Sequence, residues 1–479
     1  MSEKSLRAKT TKGLLWSSVE RFSNQGINFL FTILIARILS PKDYGIIGML
    51  AVFMAICTTF INSGFGNALV RKPDRTEVDN STAFYFNIGI GFVAYFIMFV
   101  CAPYIASFYK MPILIWVTRI QAINLILGSF SIVQFAMLTI QIDFKTQAKV
   151  SIISTFISGI IGLMFAYLGY GVWALVVQSV LFTLSQTLLA WFFVQWRPTE
   201  KFSLASFKQL FGYGSKLLFA GLIETIYANI YVLVIGKIFK ASSLGLYSRA
   251  EQLVQFPSSN LTSILQRVSF PVLSKIQDDI PRLRDSYRRL LKMSVFVIFP
   301  LMILLAMIAH PLVNIILGEK WLGCVVFLQI ICFDLIWYPI HAINLNLLQV
   351  KGRSDLFLRV EILKKVVGIS ILVLTIPMGL TMMCYGRVLS SMICLIINTY
   401  YTGKLIDVGF FKQINDLSPN FFMALFAGLC SYLLLQCFDN AYIQVFVGVG
   451  STTFIYVVIA YYTKSSELHE VFDLIKNRK

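Results

Sequence analysis

Long apolar runs separated by short polar segments make up almost the whole chain. Most of the runs contain about 20 residues, the length that an α-helix needs to cross about 30 Å of hydrocarbon. The pattern therefore predicts an all-α, polytopic membrane protein with fourteen transmembrane helices. The predicted spans are 14–36, 44–63, 81–103, 113–138, 148–168, 172–196, 214–236, 244–266, 291–316, 322–349, 357–377, 380–402, 419–437 and 441–462.

Lysine and arginine are distributed very unevenly between alternate polar segments. One set of segments carries thirty of them and the other set carries six. Because basic residues are retained on the cytoplasmic side of a membrane, this imbalance predicts that both ends of the chain are cytoplasmic. The longest connecting segment, roughly 267–290, is too short to hold a soluble catalytic domain, so we do not expect an enzyme.

The composition excludes several other classes of protein. The chain is 57% hydrophobic and 13% charged, with a mean hydropathy of +0.75, which is outside the range of water-soluble domains. Its net charge of +18 does not indicate nucleic-acid binding, since the basic residues lie between apolar runs rather than on one solvated face. The eight cysteines lack CxxC spacing and clustered histidines, so we expect no disulfide, metal or cofactor.

The chain also contains a weak internal repeat. A shift of 200 residues aligns Ile35 and Gly45 with Ile235 and Gly245, and a shift of 208 aligns Gly171 with Gly379. Chance alignment of apolar helices is the alternative explanation. A true repeat of six helices predicts two pseudo-symmetric lobes in the same orientation around a central cavity, as in transporters. The predicted parts are a first lobe at 1–203, a second lobe at 204–405, and a terminal helix pair and tail at 406–479.

Polar side chains recur on single faces of several predicted spans. In the first span, residues 16, 20, 24 and 28 follow one another at helical spacing, and spans ten and twelve carry similar stripes from Asp334 to His341 and from Arg387 to Asn398. Because polar groups in hydrocarbon are costly, they normally face a wet cavity or a partner. The predicted cavity residues are Glu20, Arg21, Asn24, Gln25, Asn28, Arg119, Lys216, Glu224, Arg249, Asp334, His341 and Arg387.

Other interpretations of these residues stay open. Lys216 and Arg249 lie near span ends, where long cations also snorkel to the headgroups, and a single histidine such as His341 is often an internally bonded residue. A cavity lined by arginine and amides suits phosphate and sugar, because guanidinium matches phosphate oxygens and amides match hydroxyls. Glu20 and Glu224 are candidates for binding a coupling proton or sodium ion.

Several segments resemble one known family. The run GLLWSSVERFSNQGINFLFTILIARILSPKDYGIIG, followed by NSGFGNALVRK, resembles the start of lipopolysaccharide and exopolysaccharide exporters of the colanic-acid type. Those exporters belong to the multidrug, oligosaccharidyl-lipid and polysaccharide flippase superfamily. The segments LGLYSRAEQLVQFP (244–257), RVSFPVLSKIQDD (267–279) and QVKGRSDLFLRVE (349–361) resemble the same family in order and spacing.

The resemblance implies a flippase of the bacterial inner membrane. Its cargo would be a polyprenyl-diphosphate-linked oligosaccharide, moved by alternating access from the cytoplasmic to the periplasmic leaflet without ATP hydrolysis. It implies lumen positions for Glu20, Arg21 and Gln25, and a structural helix end at Arg37 and Pro41. Expected partners are the lipid-linked oligosaccharide, membrane lipid, a proton or sodium ion, and a polysaccharide polymerase with its assembly proteins, but no nucleic acid.

Two other functions remain as alternatives. A multidrug exporter of the same superfamily would couple a cation to the efflux of apolar compounds, and its cavity would need fewer cations. A polymerase acting on lipid-linked sugars usually carries a large external loop, and no predicted external loop exceeds about a dozen residues.

Overall fold

A computed structural model describes residues 23–62, 65–72 and 74–470, and these residues form helices joined by short connections, with no strand among them. The helices are α1 (23–38), α2 (Pro41–Asn62), α3 (Phe65–Arg71), α4 (Glu77–Tyr109), α5 (Leu114–Gln121), α6 (Ile123–Ser129), α7 (Ile132–Ile140), α8 (Phe144–Tyr167), α9 (Val172–Phe193), α10 (Leu204–Ala228), α11 (Ile230–Ile238), α12 (Ala241–Lys275), α13 (Ile280–Met307), α14 (Ala309–Ile316), α15 (Val325–Leu335), α16 (Tyr338–Val350), α17 (Ser354–Thr375), α18 (Leu380–Ile406), α19 (Phe410–Leu435) and α20 (Ala441–Tyr462). A short 3₁₀ turn at Glu319–Cys324 precedes α15, and another at Ile376–Met378 follows α17.

The all-α class is confirmed, and the described residues of each predicted span are mainly helical. Within the described residues, nine helices are long and apolar enough to cross a membrane, and two bent helix pairs raise the number to eleven. Two of the three predicted spans that are not counted here are too polar to meet this criterion. One is α12, which carries Arg249, Glu251 and many amides and hydroxyls, and the other is α17, with four charges from Arg359 to Lys365. The first span lies partly outside the described residues, so the count of fourteen stays a prediction.

Several predicted spans are broken helices rather than straight ones. The fourth span is divided into α5, α6 and α7, with a bend of 40° before α7, and the seventh is divided into α10 and α11, with a bend of 43° at Asn229. The tenth is interrupted between α15 and α16, where Ile336 and Trp337 precede Pro339. Proline removes a backbone donor and clashes with the preceding turn, so it favours a break at this point.

The helices assemble into two compact units, Met1–Gly245 and Leu246–Lys479, called unit 1 and unit 2 below. In unit 1, α8 packs along α9 through small residues, and Gly162 lies against the side chain of Gln178. In unit 2, α13 packs against α19 in the same way, with Gly428 against Ile303. The predicted lobe boundaries at 203 and 405 stay a prediction.

A close helix crossing in unit 1 involves two residues that the internal repeat aligns. A Cβ atom on Gly45 of α2 would overlap the carbonyl oxygen of Ala241, and one on Gly245 of α12 would overlap the carbonyl oxygen of Pro41. The two contacts are therefore equivalent in the internal repeat, since Gly45 and Gly245 are 200 residues apart, and so are Pro41 and Ala241. The two helix starts pack backbone to backbone, which only glycine permits at these positions.

We expect Gly45→Val to destabilise unit 1, because the added side chain meets a backbone carbonyl that cannot rotate away. Overpacking of this kind costs about 1–3 kcal/mol or more. The measurement is the thermal midpoint of the detergent-solubilised protein. It is obtained from the loss of the monodisperse peak in size-exclusion chromatography as the temperature rises. Gly89→Ala in α4 is the matched control, since a Cβ there meets nothing within 4 Å. Equal midpoints for both variants would contradict the proposed crossing.

Candidate functional site

A cluster of charged side chains lies inside unit 2, centred on Arg387 near the start of α18. Its Nε donates to Asp334 Oδ2 at 2.6 Å and its Nη1 donates to Tyr247 Oη at 2.6 Å, while the same Nη1 forms an ion pair with Glu251 Oε1. Tyr247 and Glu251 are one turn apart on α12, so both side chains project from one face of that helix. Three helix segments thus converge on one guanidinium.

The cluster is largely shielded from solvent. The side chains of Arg387, Glu251 and Asp334 are 19%, 25% and 10% exposed. With all three groups ionised the cluster carries a net charge of −1, and a single added proton or monovalent cation would bring it to zero. Removing charges from water costs several kcal/mol per ion, so their mutual contacts are what make this burial tolerable.

A ladder of polar side chains continues from this cluster along α18. Ser391 donates to the carbonyl oxygen of Asp334 at 3.4 Å and lies 3.2 Å from Nε2 of His341. The side-chain amide of Asn398 lies 2.8 Å from Nδ1 of the same histidine, so both ring nitrogens have a polar neighbour on α18. The two polar stripes predicted in spans ten and twelve therefore face each other.

The ladder then passes to α16 and α19. Thr402 donates to Oδ1 of Asn344 at 2.6 Å, and Asn344 exchanges hydrogen bonds of 3.1 and 3.2 Å with Gln413. Positions 387, 391, 398 and 402 lie on one face of α18 and extend over about 22 Å. A buried polar seam of this length covers most of the thickness of a bilayer core.

Two predicted arginines, Arg249 in unit 2 and Arg119 in unit 1, have surroundings that differ from those of Arg387. Arg249 is buried, donates to Gln252 at 2.6 Å and lies over the ring of Trp321. Arg119 lies 4.1 Å from the ring centroid of Phe99 and 5.4 Å from that of Trp116, and both rings are exposed. The structure does not bring either arginine into the Arg387 cluster, and their place in a cargo cavity stays a prediction.

Two of the predicted residues of unit 1, Asn24 and Asn28, belong to a smaller polar group. Asn24 bridges Ser151 and Thr155 of α8, while Asn28 lines a neighbouring cavity. Gln25 is half-buried on the same helix, and Glu224 is exposed on α10. Glu20 and Arg21 lie outside the described residues, as does the side chain of Lys216.

Sequence reasoning missed part of this site. Tyr247 precedes the acid Glu251 by four residues, a spacing that places both on one face of α12, and this signal was present in the sequence. Asn344, Thr402 and Gln413 carried no comparable signal, because only the packing of α16, α18 and α19 brings them together.

We expect Arg387→Met to destabilise the protein by about 3–5 kcal/mol, because it leaves two buried carboxylates without their counter-ion. Adding Asp334→Asn and Glu251→Gln to the same chain should recover much of that loss. The measurement is unfolding in mixed detergent micelles. Arg353→Met is the control, since its ion pair with Asp355 is about half exposed and its loss should change little. Similar losses for both single variants would contradict a buried cluster.

The chain is similar in sequence to curated polysaccharide biosynthesis proteins and in fold to a solved flippase structure. It is 28% identical to the teichuronic acid biosynthesis protein TuaB of Bacillus subtilis over 74% of this chain and 73% of that protein. It is 25% identical to the lipopolysaccharide biosynthesis protein WzxC of Escherichia coli over 82% of this chain and 80% of that protein. The fold is similar to that of the lipid II flippase MurJ in an inward closed conformation, with a TM-score of 0.75, 14% identity, and coverage of 94% of this chain and 99% of that one.

These relationships confirm the resemblance drawn from the sequence motifs, and they agree with a multi-pass membrane protein. A family model described as "Polysaccharide biosynthesis protein" matches residues 34–326, which is more than half of the chain. The chain therefore belongs to the polysaccharide biosynthesis protein family.

Proposed function

We propose that this protein flips a polyprenyl-diphosphate-linked oligosaccharide from the cytoplasmic to the periplasmic leaflet of a bacterial inner membrane by alternating access. The observation that carries the proposal is the family match over residues 34–326. The relatives named for teichuronic acid and lipopolysaccharide biosynthesis support a glycan as cargo, and the likeness to a lipid II flippase supports a lipid carrier.

The charged cluster of unit 2 supports a diphosphate as the charged part of the cargo. The guanidinium of Arg387 already contacts two carboxylates with the planar donor geometry that also binds phosphate. Glu251 is the more exposed of the two acids, so a phosphate oxygen could take its place with the smaller rearrangement. Asp334 would keep the guanidinium in position during this exchange.

The direction of transport follows from the charge of the cargo. The cytoplasmic side of a bacterial inner membrane is electrically negative, and the distribution of basic residues supports both chain ends on that side. Moving one elementary charge across 100 mV is worth about 2.3 kcal/mol, so export of a diphosphate with about two negative charges is downhill by about 4–5 kcal/mol. The membrane potential would therefore favour the loaded outward step.

Return of the empty carrier needs a second event, and the cluster offers one. A carboxylate displaced from Arg387 becomes a buried unpaired charge, which is costly, so it would take up a proton. Glu251 thereby becomes a candidate coupling residue in unit 2, beside Glu224 in unit 1 and Glu20. On this proposal, Glu251 takes up a proton when cargo displaces it from Arg387. It loses that proton and pairs with Arg387 again when the cargo leaves, so the empty carrier returns with the ion pair re-formed.

The function is tested by deleting the gene in its host. We expect lipid-linked glycan to accumulate facing the cytoplasm, with loss of the surface polymer, and expression of the intact chain should restore both. Dye accumulation is measured in the same strains, since a multidrug exporter would change dye efflux and leave the glycan unaffected. That second pattern would overturn the proposal.

We expect Glu251→Gln to remove the dependence of transport on a pH gradient, because an amide cannot bind or release the coupling proton. The measurement is flipping of the extracted lipid-linked glycan in proteoliposomes, with and without an imposed gradient. Glu361→Gln is the matched control, since Glu361 pairs with Lys364 on α17. If Glu251→Gln keeps the gradient response of the parent protein, Glu251 is not the coupling residue.

A further inference from the structure

Two cavities of unit 1 lie along one face of α9. The smaller has a volume of about 210 Å³ and the larger about 380 Å³. The first contacts Gln178 and Ser179, and the second contacts Thr183 and Gln186. Positions 178, 179, 182, 183 and 186 follow helical spacing, so the cavities continue one another along about 12 Å of the helix axis.

Both cavities are lined by polar but uncharged side chains together with apolar ones. Asn28, Thr32 and Ser158 complete the polar side of the smaller cavity, and Asn62 and Asn124 contribute to the larger one. No aspartate, glutamate, lysine or arginine lines either cavity among the described residues. Each cavity also contains a phenylalanine ring, Phe182 in one and Phe135 in the other.

Several of these side chains have unused hydrogen-bonding capacity. Within the part of the chain that the structure describes, no hydrogen bond is formed by the side-chain amides of Asn28, Gln178 or Gln186. By contrast, Ser179 between them accepts from Gln121 and Asn124, both at 2.9 Å, which holds the middle of the face in place. Amides that project from apolar spans without a protein partner point to a polar ligand or water.

We infer that this face of α9, with the two cavities beside it, is a binding track for the uncharged sugars of the cargo. Amides and hydroxyls donate to and accept from sugar hydroxyls, and an aromatic ring offers an apolar surface to the C–H face of a sugar ring. The absence of charge in the linings favours neutral groups over phosphate, and the amides and hydroxyls favour hydroxyl-rich groups over apolar compounds. The inference rests on the proposed function and adds to it the site that recognises the glycan.

The track is tested with Gln178→Leu combined with Gln186→Leu, which keeps the side-chain size and removes the amides. Transport is measured in proteoliposomes with two probes. One is the lipid-linked glycan extracted from the deletion strain, and the other is the same lipid trimmed to its first sugar. Because both amides lose their hydrogen bonds to the sugars, we expect transport of the full glycan to fall about tenfold to thirtyfold, and that of the trimmed lipid to stay near the parent value.

Ser185→Ala is the control for disturbing α9, since Ser185 lies on the same helix and lines neither cavity. It should transport both probes like the parent protein. Unchanged transport of the full glycan by the double variant would overturn the track, and so would an equal loss of both probes. If the parent protein moves neither probe, the proposed function fails instead, so the two failures are distinguishable.

Discussion

The structure depends on one constraint, which is that polar groups placed in hydrocarbon must find their partners inside the protein. Arg387 satisfies it most fully, because two carboxylates and a tyrosine hydroxyl from other segments meet its guanidinium. The polar ladder that follows along α18 obeys the same rule with weaker groups. These contacts determine which faces of α12, α15, α16, α18 and α19 turn inward in unit 2.

Close packing of the helices is a second requirement, because hydrocarbon provides no large hydrophobic driving force between them. Lipid tails are as apolar as leucine, so helices associate through contact area and through small residues that let backbones approach. Gly45 and Gly245 allow this close approach at the starts of α2 and α12. Gly162 allows it between α8 and α9, and Gly428 allows it between α13 and α19. The exposed outer faces, by contrast, carry large apolar side chains such as Phe96, Phe192 and Phe446.

The two units differ in the kind of polarity that they contain. Unit 2 holds a charged cluster with a net charge that one proton would cancel, whereas the polar side chains that line the cavities along α9 in unit 1 are amides and hydroxyls without charge. A lipid-linked glycan has the same division, since its diphosphate is charged and neutral sugars are rich in hydroxyls. The chemistry of the cargo proposed for this family member is therefore matched by two different environments within one chain.

Much of this was determined by the sequence alone. Apolar runs of membrane-spanning length predicted the helices, the motifs from Gly13 to Lys72 identified the family, and the stripes from Asp334 to His341 and from Arg387 to Asn398 predicted polar faces on two spans. These are local properties, since hydropathy and helical spacing depend only on neighbouring residues.

Only the tertiary structure decided which polar groups meet. The distances along the chain between Tyr247, Asp334 and Arg387 are set by intervening helices, and sequence spacing does not encode which helix packs beside which. The bends of 40° and 43° in spans four and seven were likewise not predicted from the hydropathy pattern. The sequence therefore determined that charge must be buried. The packing of the helices decided that Arg387 is held by two acids, and that the amides of Gln178 and Gln186 face cavities without a hydrogen-bond partner among the described residues.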